Sequence, residues 1–187
     1  MKQNILPAIK LTVICIVFFM GIYPLFIWVI AQAAPANGKG ETVSANGKVV
    51  GYKLIGQKFT DDKYFNGRPS AVDYNAAGSG GSNKGPTNPD YLKTVADRID
   101  TFLVHNPGVK KEAIPSELVT ASGSGQDPDL SPEAASVQVK RIAAVRKIDE
   151  SKLLALVDAQ TEAPLFGLFG TSRVNVLRLN IALDKLN

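Results

Sequence analysis

Apolar side chains crowd the start of this chain and then thin into spaced, periodic patterns. From Leu11 to Ala31 no residue is charged, and Ile, Leu, Val and Phe dominate the run. At about 1.5 Å of rise per residue the run makes roughly 31 Å of helix, the thickness of a bilayer's hydrocarbon core. The pattern predicts a transmembrane helix over residues 11–31, a short cytoplasmic N-terminus over 1–10 and a linker over 32–40. Pro24 lacks the amide that would bond the Met20 carbonyl, which predicts a kink in mid-span. Lys2 and Lys10 precede the run, and the first basic residue after it is Lys39. The positive-inside rule then leaves the N-terminus in the cytoplasm and everything after the helix outside, with Trp28 near the outer interface. Ala31-Gln32-Ala33 has the small residues of a signal-peptidase site. A cleaved signal usually carries a shorter apolar region, about 7 to 15 residues, which favours a retained anchor.

Residues 41–187 read as one extracytoplasmic domain, since about 150 residues suffice for one hydrophobic core and hardly for two. Asn46-Gly47 between Glu41–Ala45 and Lys48–Ile55 signals a β-hairpin, because Asn and Gly tolerate the positive φ of a two-residue turn. Asn88-Pro89-Asp90 opens a helix with a cap, a first-turn proline and an acid suited to the dipole. Leu92, Val95, Ala96, Ile99, Phe102 and Leu103 follow helical spacing, and Asn106-Pro107-Gly108 stops the helix. Ser131-Pro132-Glu133 starts another, with Ala135, Val139, Ile142 and Ala143 on one face and Arg146-Lys147 at its end. Asp149 caps a third that carries Leu153, Leu156 and Val157. Residues 174–186 fit a strand through Leu177, Leu179, Ile181 and Leu183, and a helix through Val176, Leu179, Leu183 and Leu186. The predicted fold class is α+β: one N-terminal transmembrane helix, then a single loop-rich domain with a β-hairpin and about three to four helices.

Composition narrows the chemistry. The 187 residues carry a net charge of +4 without an arginine-rich block, so nothing points to nucleic acid. A single cysteine, Cys15, excludes an internal disulfide and a Cys-based zinc site, and a single histidine, His105, excludes a multi-His metal centre. The segment Gly78-Ser-Gly-Gly-Ser-Asn-Lys-Gly85 resembles a phosphate loop, but Lys84 is followed by Gly85-Pro86 rather than by Ser or Thr and a helix. Ala77-Gly-Ser79-Gly-Gly81 and Ala121-Ser-Gly-Ser-Gly125 narrowly miss the G-x-S-x-G elbow of a secreted serine hydrolase. The one imidazole available as base is His105, expected at a helix C-terminus, where it complements the dipole. Asp61-Asp62 and Asp127-Pro-Asp129 lack calcium-loop spacing and read as turns.

A series of blocks along the chain carries a family resemblance. Tyr64-Phe-Asn-Gly-Arg-Pro-Ser-Ala71 is followed by Ser79-Gly-Gly-Ser-Asn-Lys-Gly-Pro86 and Asn88. Leu118-Val-Thr-Ala-Ser-Gly-Ser-Gly-Gln-Asp-Pro-Asp-Leu-Ser-Pro132 leads to Gln138 and Arg141-Ile-Ala143, and Val174-Asn-Val-Leu-Arg-Leu-Asn-Ile-Ala-Leu-Asp184 closes the chain. With the single N-terminal span, this series resembles the C subunit of the bacterial Kdp potassium-transporting ATPase. The resemblance implies a non-catalytic subunit in the cell (inner) membrane. Its implied partners are a channel-like potassium-binding subunit, a P-type ATPase subunit and a small hydrophobic subunit, besides membrane lipid. It implies no cofactor of its own, ATP and K+ being handled by the partners. The same family is also described as a catalytic chaperone that raises the ATPase subunit's affinity for ATP, which makes Gln138 the nucleotide candidate. The positions matching the family blocks as interaction or structural residues are Arg68, Ser79, Asn83, Asn88, Ser122, Gly125 and Asp127.

Overall fold

The computed structural model describes residues 2–186, which divide into two units, one ending at Glu41 and one beginning at Thr42. The first unit is a helix from end to end of its apolar run: α1 (Lys2–Ile16), a π-helical turn (Val17–Ile22) and α2 (Tyr23–Ala31). Its helical part starts well before Leu11, so residues expected only as a short N-terminus are helical too. Pro24 acts on the turn before it. The amide of Tyr23 reaches back to the Phe18 carbonyl, five residues earlier, and the widened turn makes room for a proline ring that would crowd the Met20 carbonyl in a regular helix. The stretch Asn4–Ala31 is 28 residues long, apolar enough to cross a membrane, and has none of its most apolar window buried. A 3₁₀ turn (Pro35–Gly38) follows, with Ala36 and Asn37 in the left-handed region.

The second unit opens with the expected hairpin, β1 (Thr42–Ala45) against β2 (Lys48–Tyr52), Ala45 opposite Lys48. Asn46 and Gly47 take φ of 51° and 74°, the values a two-residue turn between twisted strands demands. Helix α3 (Pro89–His105) starts where Asn88 Oδ1 accepts the Tyr91 amide at 3.0 Å. Its apolar face is only half-covered: no residue of α3 is buried, and Leu92 is exposed.

The helix expected to run from Ser131 to Lys147 is instead two helices, α4 (Pro132–Ser136) and α5 (Val139–Arg146). Gln138 makes the break. Its amide bonds the Ala135 carbonyl, and its side-chain Nε2 takes the Ala134 carbonyl that an unbroken helix would assign to that amide. Lys147 ends α5 in the left-handed conformation, and Asp149 caps α6 (Glu150–Gln160) through the Ser151 amide at 2.8 Å. Among the described residues the domain carries five α-helices, the split adding one to the about three to four that the pattern predicts.

The ambiguous C-terminal stretch is both things in turn: a strand, then helix α7 (Val176–Asp184) capped by Asn175. That strand, β5 (Arg173–Asn175), lies between β3 (Asp129–Leu130) and β4 (Thr161–Glu162) in an antiparallel sheet. The fold class is α+β, as the pattern predicts. The core gathers Phe65, Leu118, Leu130, Ala134, Ala135, Val139, Ile142, Leu153, Val157, Val174, Leu179 and Leu183 from α4–α7, the small sheet and the loops. Burial of apolar surface at roughly 25 cal/mol per Å² holds these elements together. Phe65 has no exposed surface although its segment, between β2 and α3, is without regular structure.

Candidate functional site

The chemistry-bearing residues lie on two irregular segments, 61–81 and 118–129, which lean on each other. Gly80 donates its amide to the Ser124 carbonyl at 2.9 Å, and Ser79 Oγ donates to the same carbonyl at 2.9 Å. Ser122 is buried and gives its amide to the Pro69 carbonyl at 3.1 Å. Ser70 Oγ donates to the Gly125 carbonyl at 2.6 Å while accepting the amides of Val72 and Tyr74. Gly125 sits at φ +69°, where a Cβ would stand 2.7 Å from the Gly80 carbonyl oxygen. Here glycine is required by both conformation and space.

Arg68 and Asp127 link the same two segments, Nη1 to Oδ2 at 3.0 Å, both side chains about a quarter exposed. The Tyr74 hydroxyl donates to the Arg68 carbonyl, and burial, reinforced by the Asp127 charge, pushes its pKa up to about 12. Arg68 Nε is buried without a partner. So Arg68, Ser79, Ser122, Gly125 and Asp127 converge. Asn88 does not join them, being spent on the cap of α3, and Asn83 sits in the Gly/Ser-rich loop at φ 52°.

Gln138 belongs to a second, buried network. Its Oε1 accepts the Asn66 amide at 2.9 Å and Arg141 Nη2 at 2.9 Å, and its Nε2 donates to the Asn66 carbonyl at 3.1 Å as well as to Ala134. Arg141 reaches Asn106 Oδ1 at 3.0 Å, the Asp62 carbonyl at 2.5 Å and Asn66 Oδ1 at 3.0 Å. Loss of water around its guanidinium lowers the Arg141 pKa, while Asp62 and Asp61 act in the opposite sense. On α7, Asn180 closes both main-chain groups of Phe65, and Asn175 Nδ2 donates to the Lys53 carbonyl at 2.8 Å. In the sequence Asn106 reads only as a helix stop and Arg141 only as part of a family block, and no site role falls to Asn66, Asn175 or Asn180. A signal was there for two of them: Arg141 and Asn180 interrupt the apolar faces of α5 and α7.

His105 pairs with Asp62, Nδ1 to Oδ1 at 2.9 Å, and both side chains are half-exposed. Ser79 Oγ donates to the Ser124 carbonyl, and Ser124 Oγ accepts the Gln126 amide at 3.1 Å. Among the described residues there is no group of three His, Cys, Asp or Glu side chains placed to hold a metal ion. What this arrangement does chemically is hold irregular backbone still: amides, hydroxyls and the guanidiniums of Arg68 and Arg141 stand where a larger sheet would otherwise supply ladder bonds.

A sequence model described as "K+-transporting ATPase, c chain" matches residues 5–185. The chain belongs to the KdpC family. It is similar to the potassium-transporting ATPase KdpC subunit of Flavobacterium psychrophilum, 61% identical over 184 residues, 98% of this chain and 99% of that one. The KdpC subunit of Bacteroides fragilis strain YCH46 is 52% identical over 98% of both chains. That of Bacillus cereus is 48% identical over 99% of this chain and 97% of its own. Both knitted segments and the buried amide network thus lie inside the region of KdpC similarity, as does the apolar helix from residue 5 onward.

Proposed function

We propose that this chain is a non-catalytic, single-pass subunit of an ATP-driven potassium uptake complex in the cell (inner) membrane. Its domain lies on the extracytoplasmic side and packs on a channel-like potassium-binding subunit. The observation that carries this reading is the bare helix Asn4–Ala31, apolar and unburied through its central window, in a chain whose KdpC match takes in that helix. A helix apolar on all sides is stable only in lipid or among other helices, and the one other unit of this chain has its own core. In this reading the helix packs beside partner spans, and the knitted loops present a rigid surface to the channel-like subunit. ATP hydrolysis and potassium selection stay with the partners. The sidedness rests on Lys2 and Lys10 before the helix.

The test is co-purification of the complex from cells carrying the chain without residues 11–31. The expected result is loss of this subunit from the complex; unchanged recovery would sink the proposal. Added protease should cut the domain in sealed right-side-out vesicles, and full protection there would reverse the sidedness. The chaperone alternative through Gln138 meets a physical obstacle, because both polar atoms of that side chain are already bonded within the protein. Nucleotide contact at Gln138 would require opening this network.

A further inference from the structure

Between β4 and β5 the chain forms a narrow projection, residues 163–172, that neither the core nor the knitted segments use. Leu165 and Phe169 pair across it, amide to carbonyl in both directions at 2.9 and 3.0 Å. Phe166 and Gly167 turn the tip with φ of 55° and 72°. The tip side chains are all bare: Leu165 is 63% exposed, Phe166 84%, Leu168 79% and Phe169 65%. A strand that docks on a partner sheet bares one face and keeps alternation. Here neighbours on both faces are bare, so the shape is a convex apolar knob.

Its electrostatics are graded along its length. Residues 163–172 contain no charge. The first charges on either side, Glu162 and Arg173, pair at 3.2 Å, and Arg178 bonds the other Glu162 oxygen at 3.0 Å. An apolar cap above Thr171 and Ser172, on a base of ion-paired arginines, follows the order of layers from hydrocarbon boundary to headgroups. The tether supplies proximity. Only residues 32–41 join the end of α2 to β1, at most about 35 Å of extended chain. A domain held so closely samples the bilayer surface at high effective concentration.

We infer that the Leu165-Phe166-Gly167-Leu168-Phe169 tip is a second, shallow membrane contact that inserts into the lipid interface. A fluid acyl boundary accommodates a knob that is apolar on every side, whereas a protein partner would need a socket shaped to it. The inference rests on the membrane-anchored reading above.

The test uses the full chain, alone in phosphatidylethanolamine–phosphatidylglycerol vesicles and in the purified transport complex in the same lipids. Trp28→Phe removes the native indole, and Phe166→Trp or, separately, Leu168→Trp places one at the tip; both sites lie outside the core. Val104→Trp on α3, at a position 78% exposed, serves as control. The expected result is blue-shifted tip emission that is quenched by lipids brominated high on the acyl chain, with the control unquenched, in both preparations. Tip emission at the aqueous wavelength, or equal quenching of the control, overturns the inference. So does a tip in the complex that is shielded from acrylamide yet untouched by brominated lipid, which would assign it to a protein partner. Flotation of the chain with vesicles reports the anchor separately. A floating chain with an aqueous tip defeats only this inference, and a chain that does not float defeats both readings.

Discussion

Asn180 grips the backbone of Phe65 as a neighbouring strand would: its Oδ1 accepts the Phe65 amide at 2.9 Å and its Nδ2 donates to the Phe65 carbonyl at 3.0 Å. Gln138 repeats the grip one residue on, at the amide and carbonyl of Asn66. Gln138, at the break before α5, and Asn180, on α7, thereby clamp consecutive residues of an irregular segment and deliver Phe65 into the core. Asn180→Ala should orphan two buried main-chain groups at a cost of about 1–3 kcal/mol each. The check is denaturant unfolding of the full chain in detergent, followed by a tertiary signal. Because Gln138 holds the adjacent residue, adding Gln138→Ala should cost less than the sum of the single changes.

Arg141→Lys keeps the charge and loses the fork. A lysine ammonium cannot serve Asn106, the Asp62 carbonyl, Asn66 and Gln138 together, so the loss should be on the order of 3 kcal/mol. Hydrogen exchange should speed up over residues 62–66 and at the Asn106 end of α3, while the first turns of α3 keep their rates. Unchanged exchange in the 62–66 segment would show that the guanidinium does not hold it.

Gly125 and Gly123 make a matched pair. A Cβ at Gly125 would lie 2.6 Å from Val72 Cγ2 and 2.7 Å from the Gly80 oxygen, on a backbone with φ +69°. At Gly123 nothing lies within 4 Å. Gly125→Ala should cost about 2 kcal/mol or more and Gly123→Ala within about 0.5 kcal/mol of nothing. Equal thermal unfolding of the two variants would contradict the knitted arrangement of the loops.

Asp129 gives a pH dependence of unusual sign. Burial raises its pKa above 3.8, against the opposing pull of Asn175 and Arg173. The folded protein therefore holds this proton more tightly than the unfolded chain does. As pH falls through the folded pKa toward 3.8, the group adds stability, and above the folded pKa its buried charge subtracts from it. Asp129→Asn should unfold at a higher temperature than the parent at pH 7, and the gap should narrow as the pH falls through that window. A variant less stable at neutral pH would show that the bond from Asn175 and the Arg173 charge outweigh desolvation.

Local signals in the sequence carried a good deal of this molecule. The uncharged run, the Asn46-Gly47 turn and the caps at Asn88, Ser131 and Asp149 act within a few residues, and each stands where its chemistry demands. The break at Gln138 escaped the pattern because the apolar positions around it keep helical spacing on both sides. What interrupts the helix is a side-chain amide engaged with Asn66, 72 residues away along the chain. The strands of the small sheet escaped for another reason: β3 and β4 are two residues long and β5 three, too short to show any period.

The sequence by itself determined the elements whose physics is local: the apolar N-terminal helix, the hairpin and the capped helix starts, together with the family to which the motif blocks point. Only the tertiary structure decided which of the Gly, Ser, Asn and Asp residues meet. It brought Arg68 to Asp127 and Ser79 to Ser124, gave Gln138 and Asn180 to the backbone of residues 65 and 66, and left the Leu165–Phe169 tip bare. The reason is that a buried polar group must find its partner wherever the fold supplies one. In irregular chain that partner is set by packing, which no spacing along the sequence encodes.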